Sequence, residues 1–143
     1  MVLPDVNILV YAFRPECPRH ADYRRWLEDQ VNGSAAYGLS DLVLSGFVRV
    51  VTHPRVFLHP DPVEKALAFA AALRDRPQCV RLVTGERHWG IFADLCKQAQ
   101  AKGNLVPDAF IAALAIEHGC ELITADRDYA RFPGLHWRHP LDT

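Results

Sequence analysis

Three aspartates lie at or near the ends of apolar segments that are far apart in the chain. Asp5 interrupts an N-terminal run of Leu, Val and Ile, Asp108 directly precedes the longest apolar run, and Asp126 directly follows a short one. A charge inside a core element is costly to bury without a partner. Carboxylates that a fold gathers at the tips of core elements form a site for a hard divalent cation. A metal held by acids in a small protein commonly serves phosphate chemistry.

Each acid also has a structural explanation when it is taken alone. Asp5 could accept backbone hydrogen bonds at a strand edge, and Asn7, two residues on, would face the same side of that strand. Asp108 would offset the macrodipole in the first turn of a helix. Asp126 and Asp128 could be ordinary turn residues. The combination of these acids, rather than any one of them, indicates a metal site.

The composition predicts one soluble domain covering residues 1–143. The net charge is -1, which argues against a protein that coats nucleic acid by bulk charge, so any contact with nucleic acid would need a local basic patch. The four cysteines are isolated from one another and are typical of reduced thiols in a cytoplasmic protein. No targeting segment is visible, and the longest apolar run is far shorter than a membrane span.

The hydrophobic pattern predicts strands that alternate with helices, which is typical of an α/β sandwich with a central, mostly parallel sheet and helices on both faces. We expect strands at residues 2–13, 35–39, 80–83, 121–124 and 135–138, and helices at residues 19–31, 41–51, 63–74, 86–101 and 108–118. Ser40 is placed to cap the second of these helices, and Pro107 suits the first position of the last one. Ligands of such sheets bind beyond the carboxyl ends of the strands, where Asp126 should lie.

Three short motifs, in this order, resemble those of the PIN-domain ribonucleases, and most closely those of the VapC toxins of bacterial toxin–antitoxin pairs. They are residues 3–7 (LPDVN), 106–115 (VPDAFIAALA) and 122–129 (LITADRDY). Residues 49–57 and the tail at 132–137 extend the resemblance over nearly the whole chain. It implies a PIN-like three-layer sandwich and an acid cluster that binds Mg²⁺ or Mn²⁺ and hydrolyses RNA. It also implies a cognate VapB-type antitoxin, and we expect a homodimer.

The resemblance assigns roles to individual residues. Asp5, Asp108 and Asp126 match the metal-site acids of the family, whose role is catalytic, and Asp128 matches a further acid. The supporting polar residues are Asn7, as the partner of the first aspartate, and Thr124, beside the site.

One departure from the family concerns the second helix, where a Glu usually precedes Arg49 by three or four residues. This chain has Ser45 and Gly46 there, and Asp41, the nearest acid, is about a turn away. The departure leaves open whether one or two metals bind. It also keeps open a PIN-fold module with weakened catalysis that binds RNA or protein. An aspartyl-phosphate phosphatase using Asp5 is a further alternative, although the second acid of its usual motif is replaced by Asn7.

The remaining polar and aromatic residues divide into three predictions. Arg14, Arg19, His20, Arg24 and Arg25 form either a phosphate-binding patch near the crevice or a solvated helix face. Arg49, in an apolar helix, is expected to pair with a buried acid. Trp26, Trp89 and Trp137 are expected in the core, with Trp137 also placed to serve an interface.

Overall fold

A single sheet of five parallel strands organises the computed structural model, which describes residues 1–142. The strands are β1 (Val2–Pro4), β2 (Tyr37–Leu39), β3 (Cys79–Arg81), β4 (Glu121–Ile123) and β5 (Trp137–Arg138). Their order across the sheet is β3-β2-β1-β4-β5, and every neighbouring pair is parallel. The chain therefore builds one half of the sheet outward from β1 and then returns to the other side of β1 to build the rest.

Six α-helices connect and cover these strands, which confirms the predicted α/β fold class. They are α1 (Val6–Phe13), α2 (His20–Asn32), α3 (Asp41–Val51), α4 (Val63–Arg74), α5 (His88–Ala99) and α6 (Leu105–His118), and a 3₁₀ helix spans Arg127–Arg131. Helix α1 packs against both α2 and α3, α3 packs against α4, and α5 packs on α6. Helices α3 and α4 have the predicted bounds, and Ser40 caps α3 as expected, accepting a hydrogen bond from the backbone of Leu42.

The largest error of the sequence prediction concerns residues 2–13, which are not one strand. The strand ends at Pro4 and helix α1 begins at Val6. The side chains of α1 that point away from solvent are Ile8, Leu9, Val10 and Ala12. A helix that is apolar on nearly all sides has no visible period, so a short one cannot be told from a buried strand. The consequence is favourable for the site, because Asp5 now lies at the carboxyl end of β1.

Two smaller predictions were also wrong. Helix α6 starts at Leu105, so Pro107 is its third residue rather than its first; this is still in the first turn, where a missing backbone N–H costs no helical hydrogen bond. Trp89 is 70% exposed rather than in the core, whereas Trp26 and Trp137 are partly buried against it.

The core is continuous from the helices through the sheet. Phe13, Phe47 and Phe69 of α1, α3 and α4 meet with ring centroids about 5 Å apart, and such aromatic contacts add to the stabilisation from area burial. The four cysteines are all free thiols. Within residues 1–142 no helix is both long enough and apolar enough to cross a membrane.

Candidate active site

The predicted acids border one open cleft at the carboxyl edge of the sheet. Asp5 follows β1 directly, and Asp126 comes shortly after β4, the strand next to β1. The chain switches from one side of β1 to the other between β3 and β4, and ligands of parallel sheets bind at such switch points. The cleft has a volume of about 660 Å³, and its lining includes Asp5, Asn7, Asp108 and Asp126.

Asp5 is held in place by both of its carboxylate oxygens. It caps α1, since its Oδ1 accepts a hydrogen bond from the Val6 backbone N–H at 2.7 Å. Its Oδ2 accepts one from the Thr124 hydroxyl at 2.8 Å and one from the Asn7 amide at 3.3 Å. The side chain is only 5% exposed. Burial raises the pKa of Asp5 above its ordinary value, and the charge of Asp126 raises it further, although the hydrogen bonds oppose the change.

Thr124 and Asn7 join the ends of β1 and β4 into one network. Thr124 is fully buried, and besides donating to Asp5 its hydroxyl accepts from the Asn7 amide at 3.3 Å and from the Asp126 backbone N–H at 3.0 Å. The Asn7 Oδ1 accepts the Ala125 backbone N–H at 3.2 Å. These contacts fix the distance between the two strand ends. Asn7 therefore does support Asp5, but from the first turn of α1 and not from a strand.

Asp108 reaches the same cleft from the first turn of α6. Its Oδ1 accepts a hydrogen bond from the Tyr129 hydroxyl at 3.3 Å. Partial burial and the charges of Asp5, Asp126 and Asp128 raise the pKa of Asp108 from 3.8 to about 6. An acid whose pKa is raised by neighbouring acids marks a region of negative potential that a bound cation would relieve.

Tyr129 is a member of this site that the sequence analysis did not single out. It is almost fully buried, and burial together with the charges of Asp5 and Asp108 raises its pKa, so its hydroxyl stays protonated and donates to Asp108. The only signal in the sequence is its position in the third motif. A buried hydroxyl that contacts the site only through Asp108 cannot be recognised without the fold.

Asp126 and Asp128 differ in their placement. Asp126 lines the cleft and caps the 3₁₀ helix, because its Oδ1 accepts the Asp128 backbone N–H at 2.9 Å. Asp128 is exposed and does not line the cleft, although its charge reaches Asp108. The structure thus brings Asp5, Asp108 and Asp126 to one cleft and leaves Asp128 at its margin.

The oxygen-rich donor set fits a hard divalent cation such as Mg²⁺ or Mn²⁺ better than zinc, which favours histidine and cysteine ligands. Over the part of the chain that is described, no three acidic, histidine or cysteine side chains are already close enough to share an ion. Like charges repel at short range, so we expect binding to require rotation of Asp108 and Asp126, which are less confined than Asp5.

The surface of α3 lacks an acid facing this cleft. Ser45 and Gly46 are residues of α3 that line the cleft, where Gly46 packs close to α1. A Cβ atom on Gly46 would lie 2.9 Å from a methyl group of Val6, so the close approach of α3 to α1 leaves no room for a side chain there. Asp41 pairs with Arg74 at 3.0 Å and lines a separate groove between α3 and α4. Asp41 is therefore not placed as a cleft ligand.

The predicted basic patch does not face the cleft. Arg14 is buried and forms ion pairs with Glu16 and Asp61, the latter at 2.6 Å. Arg19 and Arg24 pair with acids of α2. None of the five predicted basic residues lines the cleft; they are Arg14, Arg19, His20, Arg24 and Arg25. The solvated-face interpretation therefore applies to α2, while Arg14 is a structural ion-pair residue.

Arg49, which was predicted to pair with a buried acid, is at the surface instead. It is exposed, lines the cleft and forms no ion pair with any acid of residues 1–142. The predicted pairing with a buried acid was wrong, because Arg49 lies on the exposed side of the last turn of α3, while Val51 on the other side is buried.

Comparison with known sequences places these residues in a family. A model of the PIN domain matches residues 2–135. VapC ribonuclease Mb2897 of Mycobacterium bovis is 47% identical over 142 residues, which cover 99% of this chain and 97% of that protein. Ribonuclease VapC25 of Mycobacterium tuberculosis is 37% identical over 142 residues, which cover 99% of this chain and 100% of that protein.

Comparison with solved structures agrees on the fold. VapBC2 of Rickettsia felis, solved bound to a DNA fragment from its promoter, superposes with a TM-score of 0.70 at 20% identity, covering 96% of this chain and 98% of that one. Mycobacterium tuberculosis VapC20, a toxin that cleaves the sarcin-ricin loop, superposes with a TM-score of 0.64 at 15% identity, covering 91% and 93%.

Proposed function

This chain belongs to the PIN-domain family and, within it, to the VapC ribonucleases, and from that premise we propose that it hydrolyses RNA phosphodiester bonds with a divalent cation held by its aspartates. The observation that carries the proposal is the meeting of Asp5, Asp108 and Asp126 around one cleft at the switch point of the sheet. Mg²⁺ is the proposed ion, with Mn²⁺ as an alternative, and Asp128 is proposed as an outer acid of the site.

The chain's own groups would divide the work. Asp5 would be the fixed ligand, because the cap hydrogen bond from Val6 and the hydrogen bond from Thr124 hold its two oxygens. Asp108 and Asp126 would approach the ion from α6 and from the end of β4. A divalent cation bound there would neutralise charge on the scissile phosphate and lower the pKa of the attacking water. Thr124 and Asn7 would keep the two strand ends at the required separation.

Asp108 is the proposed proton acceptor. Its Oδ1 is oriented by the Tyr129 hydroxyl, while its Oδ2 accepts no hydrogen bond from residues 1–142. The buried Tyr129 would hold the carboxylate in line without losing its own proton.

The toxin role and the antitoxin partner follow from the relatives. The curated relatives carry VapC ribonuclease names, and several structural neighbours are toxin–antitoxin complexes, among them those of Rickettsia felis and nontypeable Haemophilus influenzae. We propose that a VapB-type antitoxin binds this chain and keeps it inactive in the cytoplasm, where its RNA substrate would be. A homodimer remains a prediction.

The test is cleavage of a panel of structured RNAs by the purified chain, in Mg²⁺, in Mn²⁺ and in excess EDTA. We expect cleavage that requires the metal, that Asp108→Asn abolishes, and that Asp94→Asn, an exposed change on α5 outside the cleft, leaves intact. Cleavage that persists in EDTA would contradict the metal role. RNA binding without cleavage under any condition would favour the weakened binding module.

The phosphatase alternative has lost support. The second acid of the usual phosphatase motif is replaced by Asn7, whose amide donates a hydrogen bond to Asp5. The match to the PIN domain over residues 2–135 also favours RNA hydrolysis.

A further inference from the structure

The acid cleft needs a positive group if it is to hold RNA, and the fold supplies one. Three aspartates line the cleft, and Arg49 is the sole Lys or Arg in its lining over residues 1–142. Contacts to phosphates, made mostly by Arg and Lys, give most of the affinity of a protein for nucleic acid. A cation held by the acids would balance part of their charge, but it would not contact the phosphates on either side of the scissile one.

Most other arginines near the cleft and on neighbouring helices are already occupied. Arg14 is buried against Asp61 and Glu16, and Arg74 pairs with Asp41. Arg49, by contrast, is exposed and has no acidic partner within residues 1–142. A guanidinium with its donors free can bind a phosphate through two parallel hydrogen bonds.

The position of Arg49 suggests where the substrate runs. Ser45 and Arg49 are one turn apart on α3, and both line the acid cleft and also the groove of about 580 Å³ between α3 and α4. They therefore form the ridge at which the two depressions meet. A strand of RNA that leaves the acids on this side must pass over that ridge.

We propose that Arg49 binds a phosphate of the RNA next to the scissile one, at the point where the strand leaves the acid cleft across α3. The inference rests on the ribonuclease function proposed above and adds a substrate-positioning residue to it. Ser45, one turn earlier, leaves the approach to the guanidinium open because its side chain is small.

A purely structural explanation for Arg49 also exists. It lies in the last turn of α3, where a cation offsets the helix macrodipole. Arg74 provides a matched control, because it lies in the last turn of α4 and lines the same α3–α4 groove, yet it is outside the acid cleft and paired with Asp41. Loss of the macrodipole contribution should affect both variants alike, and loss of a phosphate contact should affect Arg49 alone.

The experiment measures RNA binding separately from cleavage. Labelled RNA is titrated, at several salt concentrations, with the full chain carrying Asp108→Asn to stop cleavage, alone or combined with Arg49→Gln, Arg49→Lys or Arg74→Gln. We expect Arg49→Gln to weaken binding about tenfold and to reduce the slope of log affinity against log salt by about 0.7–1. Arg49→Lys should keep the slope and part of the affinity, and Arg74→Gln should change neither.

Unchanged affinity and slope in Arg49→Gln, or equal losses in Arg49→Gln and Arg74→Gln, would overturn the inference. Cleavage by the parent chain tests the proposed function independently. If the parent binds RNA without cutting it, the ribonuclease proposal fails while the binding series still decides the role of Arg49. If the parent neither binds nor cuts RNA, both proposals fail.

Discussion

Replacing Asp108 by Asn should stabilise the metal-free protein at neutral pH. The pKa of Asp108 is raised from 3.8 to about 6 by partial burial and by the charges of Asp5, Asp126 and Asp128. One pH unit of such a difference corresponds to about 1.4 kcal/mol, which sets a ceiling of about 3 kcal/mol. Because the side chain is only half-buried, solvent screening reduces the expected gain to about 1–2 kcal/mol. Asn keeps an oxygen for the Tyr129 hydroxyl and removes the charge.

The sign of this effect depends on pH in a defined way. A carboxyl whose pKa is higher in the folded state stabilises the fold below pH 3.8, where it is protonated, and that contribution is lost as the pH rises through about 6. The parent and Asp108→Asn should therefore melt alike near pH 4 and separate by about 3–6 °C at pH 7.5 in EDTA. Mg²⁺ should raise the melting temperature of the parent by mass action and that of the variant much less.

The measurement is a set of thermal melts at pH 4, 5, 6 and 7.5, with EDTA or with excess Mg²⁺. Asp94→Asn, at an exposed position of α5 outside the cleft, is the matched control and should follow the parent throughout. A variant Asp108→Asn that melts below the parent at pH 7.5 in EDTA would refute the reasoning, and so would a difference that does not change with pH. Either result would mean that Asp108 serves chiefly to stabilise α6.

Three further predictions concern the neighbourhood of the cleft. Arg14→Met should cost up to about 3–5 kcal/mol in a denaturant titration, because it leaves the carboxylate of Asp61, 10% exposed, with the exposed Lys65 as its remaining ion-pair partner. Arg24→Met, which breaks an exposed pair, should cost less than about 1 kcal/mol. Thr124→Val should cost about 1–3 kcal/mol by the same titration, since the hydroxyl that bridges Asp5, Asn7 and Asp126 is lost from a buried site. Ser45→Glu should fold normally and, by adding a carboxylate to the cleft, lower the Mg²⁺ concentration needed for half-maximal cleavage. Gly46→Ala should lower the stability of the fold by about 1–3 kcal/mol, because the added methyl group would press against Val6. A Ser45→Glu variant that needs more Mg²⁺ than the parent would show that this face of α3 does not reach the ion.

The sequence predicted the amphipathic helices well because their pattern and their end signals agree. Helix α3 has Ser40 as its cap and a polar residue at most exposed positions. Helix α4 follows Pro62 and is rich in Ala, which favours helix. Both were predicted with the bounds that the structure shows. Helix α1 was missed because its residues are apolar on nearly every side. Periodicity carries no information for such a segment, and only tertiary packing decides between strand and helix.

The residues that line the cleft could be predicted only where they lie at the end of a predicted strand or helix. Asp126 follows a predicted strand, and such positions lie at the carboxyl edge of a parallel sheet. Asp5 lay inside the predicted first strand, so its place in the cleft came from the family resemblance. The partners of individual side chains were not predictable. Arg14 was predicted on a basic or solvated face and Arg49 in a pair with a buried acid, yet Arg14 is buried against Asp61 and Arg49 is exposed beside the acids. Which arginine finds a partner depends on how loops return in space, and a local pattern cannot encode that.

The two acids that should matter most to the reaction are held in opposite ways, and this difference explains how one small fold can provide both a rigid and an adjustable ligand. Asp5 would be destabilised by its burial, but the three groups that donate hydrogen bonds to its carboxylate belong to elements that the fold needs anyway, namely the cap of α1 and the junction of β1 with β4. Asp108 has one such contact, to Tyr129, and its surroundings favour the neutral acid. A cation should therefore find Asp5 already in position and draw Asp108 in by removing the repulsion. The structural and the chemical interpretations of Asp5 are then not alternatives, because the contacts that make it a helix cap are the ones that make it a fixed ligand.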